Sequence, residues 1–178
     1  MSAGPVHLER DGDVGLILVD RPPVNAISRP VRQGLLAAFA EIASDPRLSC
    51  GVLACEGRTF MSGADLRELD TAPAEPTLAQ VTDALDSLTK PLVAALHGTT
   101  LGGGFEVALA CPGRVIAPDG AVGMPEVLIG LIPGAGGTQR LPRLIGAVGA
   151  LELIATGRQV PAAEALKLGL VDEVATDV

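Results

Sequence analysis

Hydrophobic residues along this chain follow two spacings in turn. Short clusters rich in valine, leucine and isoleucine that end at turn residues predict β-strands, over residues 14–20, 50–57, 91–98 and 113–120. Segments with apolar residues three or four positions apart predict α-helices, over residues 30–44, 78–89, 104–111, 144–156 and 162–168. Strands that alternate with helices are typical of an α/β fold built in layers.

The organisation of the chain predicts a single domain over residues 1–178. Of its 178 residues 48% are hydrophobic, enough to fill one substantial core and too many for a disordered chain. Residues 71–76 contain two prolines between small and acidic residues, which indicates an exposed loop rather than a linker between domains.

Charge and composition exclude several classes of partner. The net charge is −8, and the clustered basic residues that bind nucleic acid phosphates are not expected in so acidic a chain. Tryptophan and tyrosine are absent and aromatic residues make up 2% of the chain, so there is little for bases or sugar rings to stack on. The N-terminal residues lack the apolar stretch of a leader, and no run of about 18 apolar residues occurs, so no membrane segment is predicted. We therefore expect a cytoplasmic protein with no nucleic-acid and no membrane partner.

The cysteines indicate neither a disulfide framework nor a metal site. Cys50, Cys55 and Cys111 are odd in number and lack CxxC spacing. Free cysteine tends to be buried, so we expect reduced and mostly buried thiols. No metal site is predicted.

A glycine-rich turn and a lone acid mark the first candidate for chemistry. LGGGFEVALAC (101–111) follows a predicted strand and opens a helix, so the N–H groups of Gly103 and Gly104 are free to bind negative charge. These glycines would equally allow a helix to pack tightly on a strand. Glu106 favours the functional interpretation, because an acid in an otherwise apolar helix is costly unless it has a partner or a task.

Two further segments extend this candidate site. Glu126, within GMPEVLIGLIPGAGGTQRLP (123–142), is a second acid before an apolar, strand-like run, and two such acids tend to separate into a proton donor and a proton acceptor. Its alternative role is a helix cap or an ion pair with Arg140 or Arg143. The SGAD turn (62–65) places the Ala64 N–H before a helix start, where it could form an oxyanion hole with Gly103. The alternative for that turn is an ordinary helix cap.

Together these motifs resemble the enoyl-CoA hydratase/isomerase family, also called the crotonase superfamily. The resemblance covers nearly the whole chain and is greatest to the hydratase part of bifunctional fatty-acid oxidation enzymes. It implies a crotonase-type spiral of ββα units. The segments that carry it are RPPVNAIS (21–28), GRTFMSGADLREL (57–69), LGGGFEVALAC, GMPEVLIGLIPGAGGTQRLPRLIG (123–146) and TGRQVPAAEALKLGLVDEV (156–174).

The resemblance implies addition of water across a 2-enoyl-CoA thioester. In that reaction Ala64 and Gly103 would hold the thioester carbonyl, Glu106 would activate water and Glu126 would deliver the proton to Cα. Double-bond isomerisation stays open as a second activity. The rival hypothesis is a truncated relative that binds acyl-CoA or a protein partner without turnover.

Coenzyme A is then part of the substrate, and no separate cofactor is implied. Arg58 and Arg67 stand where the family often places basic residues near the coenzyme A phosphates, although on their own both would pass for surface charges. The residues that the resemblance assigns to coenzyme A binding are Val24, Ala26, Arg58, Ala64, Asp65, Leu66, Arg67, Gly103, Pro125 and Gly134.

Two departures from the family pattern affect these expectations. Pro112 stands where many members carry an aspartate, which bears on the polar surroundings of Glu106. The chain ends at Val178, so it is expected to lack most of the usual C-terminal helical region. By resemblance, and because exposed apolar surface is usually covered, we expect a homo-oligomer, either a trimer or a hexamer.

Other glycine-rich sites fit the chain less well. GAGGTQ (134–139) lacks the Lys-Ser/Thr ending of a P-loop, and LGGGFEV does not match GxGxxG. GTTLG (98–102) imitates a hydrolase elbow, but both histidines, His7 and His97, precede it.

Overall fold

The computed structural model describes residues 4–68 and 74–176 and has the predicted α/β architecture. The helices are α1 Arg29–Ser44, α2 Leu78–Asp86, α3 Gly103–Ala110, α4 Gly137–Thr156 and α5 Ala162–Leu168, with 3-10 helices at Leu66–Glu68 and Pro125–Ile129. The strands are β1 Val6–Asp11, β2 Val14–Val19, β3 Cys50–Cys55, β4 Leu92–Leu96, β5 Thr99–Leu101, β6 Gly113–Ile116, β7 Ala121–Gly123, β8 Gln159–Pro161 and β9 Glu173–Val174.

Two sheets organise the chain into a spiral. The larger sheet has the order β1-β2-β3-β4-β6-β9 and the smaller one β5-β7-β8. In the larger sheet β1 is antiparallel to β2, and every later pair is parallel. After β4 and again after β6 the chain adds a short strand to the smaller sheet before the next helix. This repeat confirms the predicted spiral of strand, strand and helix.

The core lies between the larger sheet and the helices. Strands β2 and β3 alternate half-buried and buried residues, which places one side chain in two against the helices. Ile17 and Leu53 are fully buried on this face, and the apolar face of α1 packs on it through Leu35 and Ile42. Phe105, on α3, is also fully buried, so the helix that carries Glu106 is embedded in the core.

Several predicted boundaries were wrong. Helix α4 begins at Gly137 rather than at residue 144, and a non-helical residue at Gly146 divides it into two parts. The run after Pro125 is a 3-10 helix and not a strand, and the strand predicted over 113–120 ends at Ile116. In each case glycine or proline conformation dominates the short apolar pattern. Residues 71–73 of the predicted loop lie outside the described residues.

Within the described ranges, no helix combines the length and hydrophobicity that crossing a bilayer would need.

Candidate active site

A cleft of about 960 Å³ collects residues that are far apart in the sequence. Its walls come from the loop after β2, the segment after β3, the N-terminal ends of α2 and α3, and the stretch before α4. Arg58 does not line this cleft and is exposed in the turn after β3. The predicted site residues that do line it are Val24, Ala26, Ala64, Asp65, Leu66, Arg67, Gly103, Glu106, Pro125, Glu126 and Gly134.

Two backbone amides meet in the cleft. Gly103 is the first residue of α3, where an amide has no partner inside the helix. Ala64 is held beside Ile27, whose N–H donates to the Gly63 carbonyl at 2.8 Å. Neither the Ala64 nor the Gly103 N–H donates to another group in residues 4–68 and 74–176. A Cβ atom on Gly103 would lie 3.4 Å from the Ala64 nitrogen, so the two donors are neighbours, as an oxyanion hole requires.

Gly102 and Gly104 of the LGGG turn must be glycine for different structural reasons. Gly102 has a φ of 51°, and a Cβ atom there would lie 2.9 Å from Oε1 of Glu126. A Cβ atom on Gly104 would lie 2.1 Å from the Met61 carbonyl oxygen, which only glycine can avoid. Close packing and an open ligand site were alternatives in the sequence, and the structure shows close packing at Gly104, while Gly102 and Gly103 line the cleft.

Glu106 is anchored by the loop that precedes α4. Its side chain is 2% exposed, and Oε1 accepts hydrogen bonds from the N–H groups of Ala135 at 2.7 Å and Gly137 at 2.8 Å. Hydrogen bonds from two amides fix the orientation of this carboxylate. No sequence pattern singled out these two partners.

Glu126 also lines the cleft, from the 3-10 helix that begins at Pro125. Its Oε2 atom is buried and has no hydrogen-bond partner within the described part of the chain. Burial raises the pKa of Glu126 above its ordinary value of 4.5, its own backbone amide opposes this, and the nearby Glu106 adds to the rise. The alternative ion pairs are absent, because Arg140 binds Asp86 and Arg143 donates to the Gln139 carbonyl.

Charged residues surround one mouth of the cleft. Asp65 is 7% exposed and pairs with both Arg21 and Arg67, each at 2.8 Å. Hydrogen bonds from Arg67, and then from Arg21, hold the pKa of Asp65 well below its usual range. Two guanidinium groups thus share this one carboxylate beside the cleft. Arg21 was missed in the sequence, although it opens the RPPVNAIS motif.

Large aliphatic side chains form another wall of the cleft. The turn between Glu126 and α4 carries large aliphatic residues that line the cleft yet remain open to solvent. They are Leu128, Ile129, Leu131 and Ile132, exposed by 70%, 54%, 42% and 73%. The N-terminal end of α2 adds Thr77, Leu78 and Ala79. The apolar run VLIGLI (127–132) was a signal for this wall.

The remaining reactive groups lie outside the cleft. Cys55 and Cys111 are buried and free, Cys50 is half-buried, and burial raises the pKa of Cys111 to about 12. No group of three potential metal ligands occurs among the described residues. Pro112 follows the C-terminal end of α3 and does not line the cleft.

The chain is similar in sequence to a known family and to curated relatives. A family model described as enoyl-CoA hydratase/isomerase matches residues 9–178. The chain is 49% identical to a peroxisomal bifunctional enzyme of Danio rerio over 90% of this chain and 22% of that protein. It is 38% identical to a probable enoyl-CoA hydratase of Bacillus subtilis over 97% of this chain and 69% of that one.

Solved structures of enoyl-CoA hydratases have the same fold as this chain. An enoyl-CoA hydratase from Mycobacterium tuberculosis superposes with a TM-score of 0.90 at 37% identity, covering 97% of this chain and 69% of that chain. One from Bacillus anthracis gives 0.90 at 34% identity, covering 96% and 70%. The chain thus spans under a quarter of the bifunctional enzyme and about two thirds of these single enzymes.

Proposed function

The chain belongs to the enoyl-CoA hydratase/isomerase family, and from this premise we propose that it adds water across the double bond of a 2-enoyl-CoA thioester. The observation that carries the proposal is one cleft that holds the Glu106 and Glu126 carboxylates together with the Ala64 and Gly103 amides. Such a set serves reactions in which a carbonyl oxygen gains negative charge while protons move at neighbouring carbons.

The amides of Ala64 and Gly103 hold the thioester oxygen in this proposal. When a nucleophile attacks Cβ, electrons move through the double bond and the oxygen becomes an enolate. The two N–H groups stabilise that charge, and each is worth about 3–4 kcal/mol in a closed site. Because both donors are backbone groups on fixed elements, they need no rearrangement during the reaction.

The environments of the two carboxylates suggest their roles. Glu106, anchored through Oε1 by two amides, takes a proton from water through its other oxygen while the hydroxyl bonds to Cβ. Glu126, whose raised pKa favours the protonated form, delivers its proton to Cα. Proton exchange with solvent then restores both side chains. The same pair could move a proton between Cα and Cγ, which is double-bond isomerisation.

The walls of the cleft support a coenzyme A thioester as substrate. Arg21 and Arg67 supply positive charge for phosphate groups at one mouth. The aliphatic wall near Glu126 suits the hydrocarbon part of the thioester. Coenzyme A enters as part of the substrate in this proposal, and the protein's own carboxylates and amides supply the chemistry.

We further propose that the protein forms a homo-oligomer, a trimer or a hexamer. Large aliphatic residues on the outer side of α4 support this, because Leu144, Val148 and Leu151 are 40%, 85% and 69% exposed. Light scattering at micromolar concentration tests the assembly, and a stable monomer would contradict it.

Hydration of 2-enoyl-CoA thioesters of graded chain length tests the main proposal. Glu106→Gln and Glu126→Gln should each lower kcat by about 10²-fold or more, the scale of general acid–base catalysis. The double variant should lose far less than the product of the two effects, because the residues act as a unit. Thioester affinity, measured by calorimetry, should change little.

Glu173→Gln, in the exposed part of β9, is the matched control and should keep the wild-type rate. If the wild type hydrates none of these thioesters, or if both single variants keep the wild-type rate, the enzyme proposal is wrong. Binding of thioesters without turnover would then favour the acyl-CoA binder.

A further inference from the structure

The loop that anchors Glu106 is itself held by helix α2. This anchoring loop, residues 133–137, contains the two amides that donate to Glu106 and leads directly into α4. Pro133, Ala135 and Gly137 are buried, whereas Gly134 is exposed and lines the cleft. A shift of this loop would therefore shift the carboxylate it holds.

An ion pair ties the anchoring loop to the end of α2. Nη1 and Nη2 of Arg140 donate to the two carboxylate oxygens of Asp86 at 2.9 and 2.7 Å. The Arg140 backbone N–H donates to the Gly136 carbonyl at 2.8 Å. Arg140 thus holds the loop with its main chain and holds α2 with its side chain. The two parallel bonds fix the distance between them.

A buried hydroxyl supports the same contact from α2. Thr82 is 2% exposed, and its Oγ1 lies 2.9 Å from the Ala79 carbonyl oxygen and 3.2 Å from the Ala135 carbonyl oxygen. Ala135 is therefore bound on both sides, through its carbonyl to α2 and through its N–H to Glu106.

We propose that Arg140 and Asp86 are positioning residues that, through the anchoring loop, aim the Ala135 and Gly137 amides at Glu106. The kinetic part of this inference rests on the proposed hydration activity, whereas its structural part does not. Neither residue lines the cleft, so neither touches substrate in this role.

Because the Arg140–Asp86 pair is partly exposed, we expect it to affect catalysis more than folding. The Asp86 side chain is 51% exposed and that of Arg140 21%, and ion pairs open to solvent contribute little to global stability. Misplacement of a catalytic group, in contrast, has a large effect on rate. A positioning role therefore predicts a loss of kcat that exceeds any loss of stability.

The kinetic test uses Asp86→Asn and Arg140→Lys, with Glu152→Gln as the matched control. Glu152 forms an ion pair with Arg158 at 2.8 Å near the other end of α4. Asp86→Asn should lower kcat about tenfold with KM within about twofold of wild type. Arg140→Lys keeps the charge but loses the two parallel donors, so its kcat should lie between that of Asp86→Asn and that of the wild type. Equal kcat for Asp86→Asn and Glu152→Gln would overturn the inference.

Hydrogen exchange gives a readout that needs no activity. The Ala135 and Gly137 amides should exchange at least several times faster in Asp86→Asn than in wild type, and at the wild-type rate in Glu152→Gln. Unchanged exchange would overturn the inference even if kcat fell, and faster exchange without a change in kcat would overturn the positioning role. If the wild type proves inactive, the proposed function fails and exchange alone decides this inference.

Discussion

Gly137→Ala tests the anchoring of Glu106 at its tightest point. The new Cβ would lie 2.9 Å from Cβ of Pro133, 2.9 Å from Cε of Met124 and 3.0 Å from Oε1 of Glu106. The methionine methyl can rotate away, but the proline ring and the anchored carboxylate have little room. Ordinary contact begins near 3.4 Å, so these neighbours must separate by about half an ångström.

In Gly137→Ala this separation should lower the free energy of unfolding and should lower kcat more strongly. Overpacking of a core costs about 1–3 kcal/mol, and the helix preference of alanine over glycine returns about 0.5–1 kcal/mol. We therefore expect a net loss of about 1–2 kcal/mol in the free energy of unfolding. Since Oε1 of Glu106 is 2.8 Å from the Gly137 nitrogen, it must move, and kcat should fall by about 10- to 100-fold.

Gly149→Ala on the same helix is the control. Its Cβ would approach only the flexible end of Ile145, at 3.3 Å. This variant should be more stable than wild type by about 0.5–1 kcal/mol and should keep the wild-type kcat. Denaturant unfolding and the hydration assay measure both quantities. If Gly137→Ala matched Gly149→Ala in stability and rate, the argument for a crowded anchor would be refuted.

Three further changes test other parts of the site. The pKa of Glu126 is raised in the folded state, so the stability that Glu126 contributes is complete below about pH 4.5 and is lost as the pH rises through the folded pKa. Glu126→Gln should therefore become more stable relative to wild type between pH 4 and pH 7. Denaturant unfolding at several pH values checks this. Gly103→Val should weaken acyl-CoA binding in calorimetry, because its side chain would cover the Ala64 nitrogen, 3.4 Å from the new Cβ, and it should fold if the flexible end of Leu78, at 2.5 Å, moves aside; unchanged affinity in a variant with the wild-type circular dichroism spectrum would contradict the oxyanion hole. Arg32→Leu should lower the free energy of unfolding by about 2–3 kcal/mol, because the Ile27 and Ala74 carbonyl oxygens and the Glu68 carboxylate lose the guanidinium that donates to them; a loss below about 0.5 kcal/mol in urea would contradict this.

Local sequence patterns pointed to residues that the fold brings to one cleft. An acid within an apolar helix and a turn of three glycines are both legible in a few residues, and Glu106, Gly103 and Ala64 do line one cleft. The strand and helix alternation likewise follows from spacing, because burial of one face requires it. Arg58 shows the limit of this reasoning, since a basic residue near a motif need not face the site.

Tertiary structure decided which groups hold the Glu106 carboxylate in place. Glu106 is anchored by amides about thirty residues further along the chain, and Asp86 reaches Arg140 from another helix. Backbone amides occur at every residue, so no side-chain pattern reveals which of them will meet a carboxylate. The sequence by itself determined which residues could do chemistry and the layers they belong to. The order of the parallel strands, which brings distant turns to one place, determined which of them meet.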